Sequence, residues 1–301
     1  MLCPRRCGAD RKNGKTGICR ETEELRAARA ALHMWEEPCI SGREGSGTVF
    51  FTGCNLRCVY CQNFALSRSQ TGKKITEERL AELFLKLQEK KANNINLVTP
   101  AHFLPQIRKS LKLAKRQGLH IPVVYNSSGY ECVESLKELE GLADVYLPDF
   151  KYWSGEIAGR YSGAEDYPDI AMAAIEEMVR QRGKPEFDSR GIMTEGVIVR
   201  HLLLPGQVSE AKRIVRYLYE TYGDRIYMSL MNQYTPLDSL DASKFPELNR
   251  RVTRKEYGKL VDYAIALGVE QAFIQEGETA RESFIPSFTL KGLQTVTENE
   301  K

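Results

Sequence analysis

Three cysteines on one short stretch are the residues of this chain best placed to do chemistry. The stretch Thr52-Gly53-Cys54-Asn55-Leu56-Arg57-Cys58-Val59-Tyr60-Cys61-Gln62-Asn63 carries them in a C-x3-C-x2-C pattern, just after a β-rich run from Thr48 to Phe51. Thiolates this close can hold three irons of a cubane cluster and leave the fourth iron open. A redox pair on Cys58 and Cys61 would leave Cys54 without a role, and a zinc ribbon needs a second close pair, which does not occur downstream. An open cluster therefore explains the spacing better than either rival or chance clustering.

The other cysteines are Cys3, Cys7, Cys19, Cys39 and Cys132, so seven of the eight fall within the first 61 residues. Such crowding reads as metal ligation in a reducing compartment more readily than as disulfides. Cys3, Cys7, Cys19 and Cys39 together could close a second metal site, a zinc ion or a further cluster. Their spacing matches no usual tight pair, so free structural thiols are the competing reading. Cys132 begins a helical stretch and reads as a small buried hydrophobe.

With 43 basic and 40 acidic residues the net charge is only +3, which does not suggest nucleic-acid binding. No run is apolar enough to span a bilayer, and Met1 to Gly17 is polar and basic, without an apolar signal core. A cytoplasmic protein with no membrane association is the expectation.

The elements that must position the cysteines alternate between two periods. After Thr48–Phe51, β-rich runs fall at 95–98, 121–125, 144–147, 196–204, 226–231 and 272–274. Amphipathic helical runs lie between them at 76–91, 103–117, 132–139, 170–182, 210–222 and 254–267. Parallel strands need crossovers and helices supply them, so the expected class is α/β, with six strand-helix units and a seventh strand in an open sheet or a partial barrel. Reactive groups then belong on loops beyond the strands' C-terminal ends, where the cysteine loop stands.

Residues 1–47 read as a small Cys-rich N-terminal module with one helix from Glu21 to Met34, residues 48–275 as the barrel, and 276–301 as a C-terminal tail. Gln275 to Phe288 reads as ordered coil, with fraying toward Lys301. Two long irregular stretches, 152–168 and 234–253, follow strand ends as lids or surface loops. Gly42-Arg43-Glu44-Gly45-Ser46-Gly47 precedes a strand instead of following one, which excludes a dinucleotide fingerprint.

The C-x3-C-x-aromatic-C form, with Tyr60 before the third cysteine, resembles the signature of the radical S-adenosylmethionine superfamily. Within it the likeness is to the pyruvate formate-lyase-activating-enzyme group. It rests on Gly53-Cys54-Asn55-Leu56, Cys61-Gln62-Asn63, Leu147-Pro148-Asp149-Phe150-Lys151 and Val199-Arg200-His201-Leu202-Leu203-Leu204-Pro205-Gly206. The N-terminal Cys-Pro-Arg-Arg-Cys-Gly and Glu36-Glu37-Pro38-Cys39-Ile40-Ser41-Gly42 resemble an uncharacterised branch of that group.

The resemblance implies a partial (β/α)6 TIM-like barrel and a [4Fe-4S] cluster on Cys54, Cys58 and Cys61. S-adenosylmethionine would chelate the open iron, and one electron would cleave it to methionine and a 5′-deoxyadenosyl radical that abstracts a hydrogen. Implied partners are a glycyl-radical protein as substrate and a flavodoxin- or ferredoxin-type electron donor. Alternatives are radical modification of another protein, peptide or small molecule, or a non-enzymatic iron–sulfur carrier or zinc-binding module. The substrate, the hydrogen donor, the physiological reductant and the oligomeric state are not encoded in any motif.

Carried over by motif, Asp149 and Lys151 stand near the cofactor, where a lysine pairs with a carboxylate and an aspartate orients it. Arg200 corresponds to a cofactor-contacting arginine; inside the apolar run 197–204 it would otherwise be a buried charge without a partner. The sequence departs from the family at Thr99-Pro100-Ala101-His102, where Gly-Gly-Glu is common. Thr99 can position the cofactor and His102 can replace a carboxylate as a neutral acceptor, or both can belong to the start of a helix. Asn126 stands where an aspartate turn is common, and Gln233 replaces a histidine loop as an adenosine partner. Tyr60, Thr99, Asn126, Asp149, Lys151, Arg200 and Gln233 are thus the expected cofactor residues. His201 should point to the opposite side of its strand from Arg200, as a structural histidine.

Overall fold

The computed structural model describes residues 2–68, 71–275, 288 and 290–294. Its strands are β1 (Arg26–His33), β2 (Ser46–Phe51), β3 (Lys73–Lys74), β4 (Ile95–Val98), β5 (Val123–Ser127), β6 (Val145–Pro148), β7 (Glu186–Phe187), β8 (Met193–Leu202), β9 (Tyr227–Met231) and β10 (Ala272–Ile274). The helices are α1 (Pro38–Ser41), α2 (Phe64–Arg68), α3 (Glu77–Glu89), α4 (Leu104–Arg116), α5 (Val133–Lys137), α6 (Gly155–Ser162), α7 (Tyr167–Arg182), α8 (Val208–Tyr222) and α9 (Arg254–Leu267). The strands form one sheet in the order β10-β9-β8-β6-β5-β4-β2-β1-β3, with β7 paired to β8.

From β2 to β10 every neighbour along that path is parallel, giving the open partial barrel. Residues alternate between its two faces with the strand period. On β5, Tyr125 points out toward the helices while Val124 and Asn126 point in; on β8, Val197 and Val199 point out while Ile198 and Arg200 point in. The inner face is apolar in its lower part, where Val124, Val145, Leu147 and Ile198 surround Ile40 of α1. Higher up it turns polar at Asn126, Asp149 and Arg200. Outside, α3 and α4 cover β2 and β4, and the helices from α5 to α9 cover the other half.

Sequence expectations met the observed elements within a few residues for seven parallel strands and six helices. One expectation fails. Residues 26–33 are a strand, paired antiparallel to β2 from Ala27 opposite Phe51 to His33 opposite Ser46, not a helix. Alanine, arginine and leucine favour a helix by only tenths of a kcal/mol per residue, about 0.7 at most. Pairing with an already buried strand, with Ala27, Ala28, Ala30 and Ala31 inside, outweighs that preference. The boundary placed at Gly47 falls within β2, and residues 26–33 belong to the sheet, not to an appended module.

The stretch 152–168 also contains α6, begun by Ser154, whose hydroxyl accepts from Ile157 N, and ended by Gly163 with φ of 59°. Of the C-terminal tail, Phe288 packs edge-on against Phe50, and the Lys291 carbonyl accepts from Ala30 N on β1. The rest of the expected coil and frayed end lies outside the described residues. No helix of the described residues is long and apolar enough to cross a membrane.

Candidate active site

The cysteine loop leaves β2 through a turn that only a small residue can make. Gly53 has φ of 76°, and a Cβ there would lie 2.5 Å from Glu21 Cγ and 2.6 Å from the Cys19 carbonyl. The loop is then clamped by Arg5, whose guanidinium donates to the carbonyls of Asn55 at 2.7 Å, Leu56 at 2.8 Å and Ser162 at 2.7 Å, and also to that of Gly163. Val59 N donates to the Tyr161 carbonyl at 2.8 Å, and the Ser162 hydroxyl meets Cys58 Sγ at 3.1 Å. Tyr60 is buried, edge-on to Tyr152, Tyr161 and Tyr234.

Cys54, Cys58 and Cys61 all open onto one cavity of about 220 Å³ at the C-terminal ends of the strands. Tyr60, Thr99, Asn126, Asp149, Lys151, Arg200 and Gln233 line the same cavity, so the residues singled out in the sequence are brought together. Burial and the neighbouring thiols push Cys54 up to about 12, and burial raises Cys61 as well. Such thiols become thiolates readily only when a cation joins them, and iron does so in a cluster. The donor set therefore fits the group.

Opposite the thiols stands a charge network. Arg200 Nε donates to Asp149 Oδ1 at 2.9 Å, one of its terminal nitrogens to Glu36 Oε2 at 3.3 Å and the other to Asn126 Oδ1 at 2.7 Å. Lys151 Nζ donates to Asp149 Oδ2 at 2.6 Å. Burial alone would raise the Asp149 carboxyl, but Arg200 and Lys151 hold it below its ordinary range. Burial works against both cations too, and Asp149 more than offsets it, so both are held above their ordinary values. Asp149, Lys151, Arg200 and Asn126 thus form a fixed polar wall of the cavity, braced from behind by Glu36.

The turn after β4 departs from the glycine pattern at a cost. Thr99 has φ of 58°, a conformation rare for a β-branched residue, and its N–H donates to the Asn126 carbonyl at 3.0 Å. Backbone strain of this kind costs about 1–3 kcal/mol and persists where surrounding structure fixes it. Gly129, with φ of 75°, lets the next turn approach Asp149, since a Cβ would sit 2.3 Å from its carbonyl.

His102 is not part of the cavity wall. Its ring is buried, Nε2 lies 2.6 Å from the Thr52 carbonyl as donor, and burial lowers its pKa to about 3. Of its two readings the start of the helix holds and the carboxylate substitute does not, because the turn of residues 101–103 carries the ring away from the cavity. His201 does point away from Arg200, with Nδ1 at 2.7 Å from the Phe150 carbonyl. Cys39 lies among the inner apolar residues of the barrel, while Cys7 and Cys19 meet near Gly17, where a Cβ would be 3.1 and 3.5 Å from their sulfurs. Cys39 is thus set apart from the other members of the expected four-cysteine set, while Cys3 stays within electrostatic reach of Cys7 and Cys19. No group of three or more Cys, His, Asp or Glu among the described residues is placed to hold a single ion.

Two site residues lacked an assigned role in the sequence, Glu36 and Glu37. The signal was present as an acidic pair directly before Pro38, the first residue of α1, because a proline there fixes the chain's entry. Ser162 could not be found from spacing, since it lies 104 residues from Cys58.

A partial α/β barrel with three thiols and an Asp-Lys-Arg wall on one cavity defines a cofactor-dependent enzyme class. The family model of the radical SAM superfamily matches residues 48–218, and the chain belongs to that superfamily. It is 31% identical over 272 residues to an uncharacterized protein of Methanocaldococcus jannaschii, covering 87% of this chain and 73% of that protein. It is 26% identical over 235 residues to the pyruvate formate-lyase-activating enzyme of Clostridium pasteurianum, covering 72% and 86%. The S-adenosylmethionine-bound structure of Streptococcus suis SuiB shares the fold at a TM-score of 0.53 and 12% identity, covering 74% of this chain and 48% of that one. A [4Fe-4S] cluster and S-adenosylmethionine follow from the superfamily.

Proposed function

We propose that this chain uses radical S-adenosylmethionine chemistry to abstract a hydrogen from a protein partner, in the manner of the glycyl-radical activases. The observation carrying the reading is the convergence of Cys54, Cys58 and Cys61 with Asp149, Lys151 and Arg200 on one cavity. Relation to a pyruvate formate-lyase-activating enzyme supports the activase side of it.

When bound, the cluster and S-adenosylmethionine supply a one-electron cleavage that yields a hydrogen-abstracting carbon radical. Cys54, Cys58 and Cys61 hold the cluster. Lys151 and Arg200 offer cations to the methionine carboxylate, Asp149 keeps both charged and aimed, and Asn126, Thr99 and Gln233 supply polar edges to the rest of the cofactor. Tyr60 and the tyrosines around it keep water from the cysteine loop. The electron comes from a flavodoxin- or ferredoxin-type protein. Arg5, Arg57 and Arg68 on the loop's outer side have no carboxylate within ion-pair distance among the described residues, which suits an acidic donor.

The greater identity to an uncharacterized relative than to the activating enzyme favours a second reading, radical modification of another protein, a peptide or a small molecule. Reconstituted protein with a strong reductant should form 5′-deoxyadenosine from S-adenosylmethionine; none formed would end both readings. A glycyl radical signal by electron paramagnetic resonance on a partner protein separates them, and its absence on every candidate partner leaves the second.

A further inference from the structure

Behind Arg200 the barrel holds a second cavity, of about 330 Å³, between the residues leading into α1 and the strands β9 and β10. It shares Arg200, Met231 and Gln233 with the cofactor cavity, so the two chambers are neighbours across three side chains. Glu36 and Glu37 both line it. Glu36 is engaged by Arg200; Glu37 is only 8% exposed, its carboxyl meets the Ser229 hydroxyl, and its Oε2 has no hydrogen-bond partner among the described residues.

Two buried carboxyls, Glu36 and Glu37, stand side by side on this chamber, and burial raises both from the ordinary range while Arg200 opposes it. Asp149 takes both cations and Glu36 shares Arg200 in an ion pair, whereas Glu37 feels Arg200 without an ion pair and has only the Ser229 hydroxyl as a side-chain donor among the described residues. A buried carboxylate oxygen without a donor is costly, and a ligand N–H cation would relieve it. The rest of the wall suits an alkyl stem: Trp35 and Phe273 present aromatic surface and Met231 a flexible apolar one.

We propose that this chamber is a substrate subsite that receives a cationic head group on an alkyl stem, an ammonium or guanidinium, on the Glu37 carboxylate. The inference rests on the reading of the neighbouring cavity as the cofactor's. A substrate anchored on Glu37 then projects the rest of its body past Arg200 and Gln233 toward the chemistry. This deepens the function to substrates bearing a lysine-like or arginine-like group.

The test uses the full chain with its cluster reconstituted and reads binding by saturation-transfer NMR. The probes are N-acetyl-lysinamide, N-acetyl-argininamide and the neutral N-acetyl-norleucinamide. At least one cationic probe should bind about tenfold more tightly than norleucinamide, and Glu37→Gln should remove that advantage. Equal binding of norleucinamide, or cationic binding undiminished in Glu37→Gln, overturns the proposal. So does displacement of the bound probe by S-adenosylmethionine, which would put the cofactor's own cation in the chamber. If Glu37→Gln fails to fold, the probe comparison and the displacement experiment on the unaltered chain still decide. Formation of 5′-deoxyadenosine measured in the same preparation is independent of these outcomes: its failure with selective cation binding sinks the cofactor reading alone, and its success without such binding sinks the subsite alone.

Discussion

The two cysteine-rich regions of this chain have similar composition and different fates. Cys54, Cys58 and Cys61 share one loop after a central strand and all open onto one cavity. Cys3, Cys7, Cys19 and Cys39 divide: Cys7 and Cys19 stay near Gly17 with Cys3 within electrostatic reach of both, while Cys39 is buried inside the barrel with Ile40, Val124 and Ile198. Convergence in the first group is enforced by a loop too short to let its thiols part. In the second it would have to survive an intervening strand, β1, which carries the chain along the sheet edge. The N-terminal segment still serves the cysteine loop, but through the Arg5 guanidinium and the close approach of Cys19 and Glu21 to Gly53.

Replacing one cysteine from each group breaks or sharpens this contrast most strongly. Cys58→Ala should abolish cluster retention and 5′-deoxyadenosine formation together, because two thiolates no longer hold a cubane against loss. Cys39→Ala should leave iron content and cleavage intact and cost about 1 kcal/mol from lost packing, read as a lowered denaturant midpoint. Equal iron loss in both variants would show that the regions act as one metal centre and would refute the contrast.

A smaller effect is expected where the regions touch. Arg5 donates to four carbonyls, Asn55 and Leu56 of the cysteine loop and Ser162 and Gly163 at the end of α6, and Arg5→Ala leaves all of them to water or unpaired. The expected loss is about 2 kcal/mol of stability with faster iron release to a chelator. Arg5→Lys, a point charge without the fork, should restore only part of it. Unchanged iron release in Arg5→Ala would mean that the N-terminal segment does not brace the loop.

How much could be read before the fold was known follows the same division. The parallel strands, their helices and the cysteine loop were legible because each is announced within a few residues, by period or by spacing. Asp149 and Lys151 were legible only through the motif likeness, and Arg200 also because a charge inside an apolar strand run has little other use. The residues 26–33 were misread since local helix preference is weak beside sheet pairing with β2. Glu36 and Glu37 escaped a role because nothing nearby in sequence tells that α1 lies inside the barrel, where Glu36 meets Arg200 from 164 positions away. For His102 the sequence left open a cavity acceptor or the start of a helix, and the second holds: the turn of residues 101–103 sends its ring to the Thr52 carbonyl.

That histidine gives the smallest and most localised expected effect, at the joint between the regions. Its ring supports the residue before Gly53, and Arg11 of the N-terminal segment donates to its own carbonyl at 2.6 Å. Burial holds its pKa at about 3 against an ordinary 6.5. The folded chain therefore binds this proton less readily than the unfolded chain. Stability from this site is complete above pH 6.5 and is lost as pH falls toward 3. His201, held near 4 by burial, and His33, likewise near 4, push in the same direction. His102→Gln keeps a donor for the Thr52 carbonyl and removes the titration. Its unfolding free energy, followed from pH 7 downward, should fall less steeply than that of the unaltered chain, by up to about 1 kcal/mol per pH unit. Parallel pH profiles would show that the ring is reached by water in the folded state, and that the wall between the cysteine loop and the N-terminal segment is open.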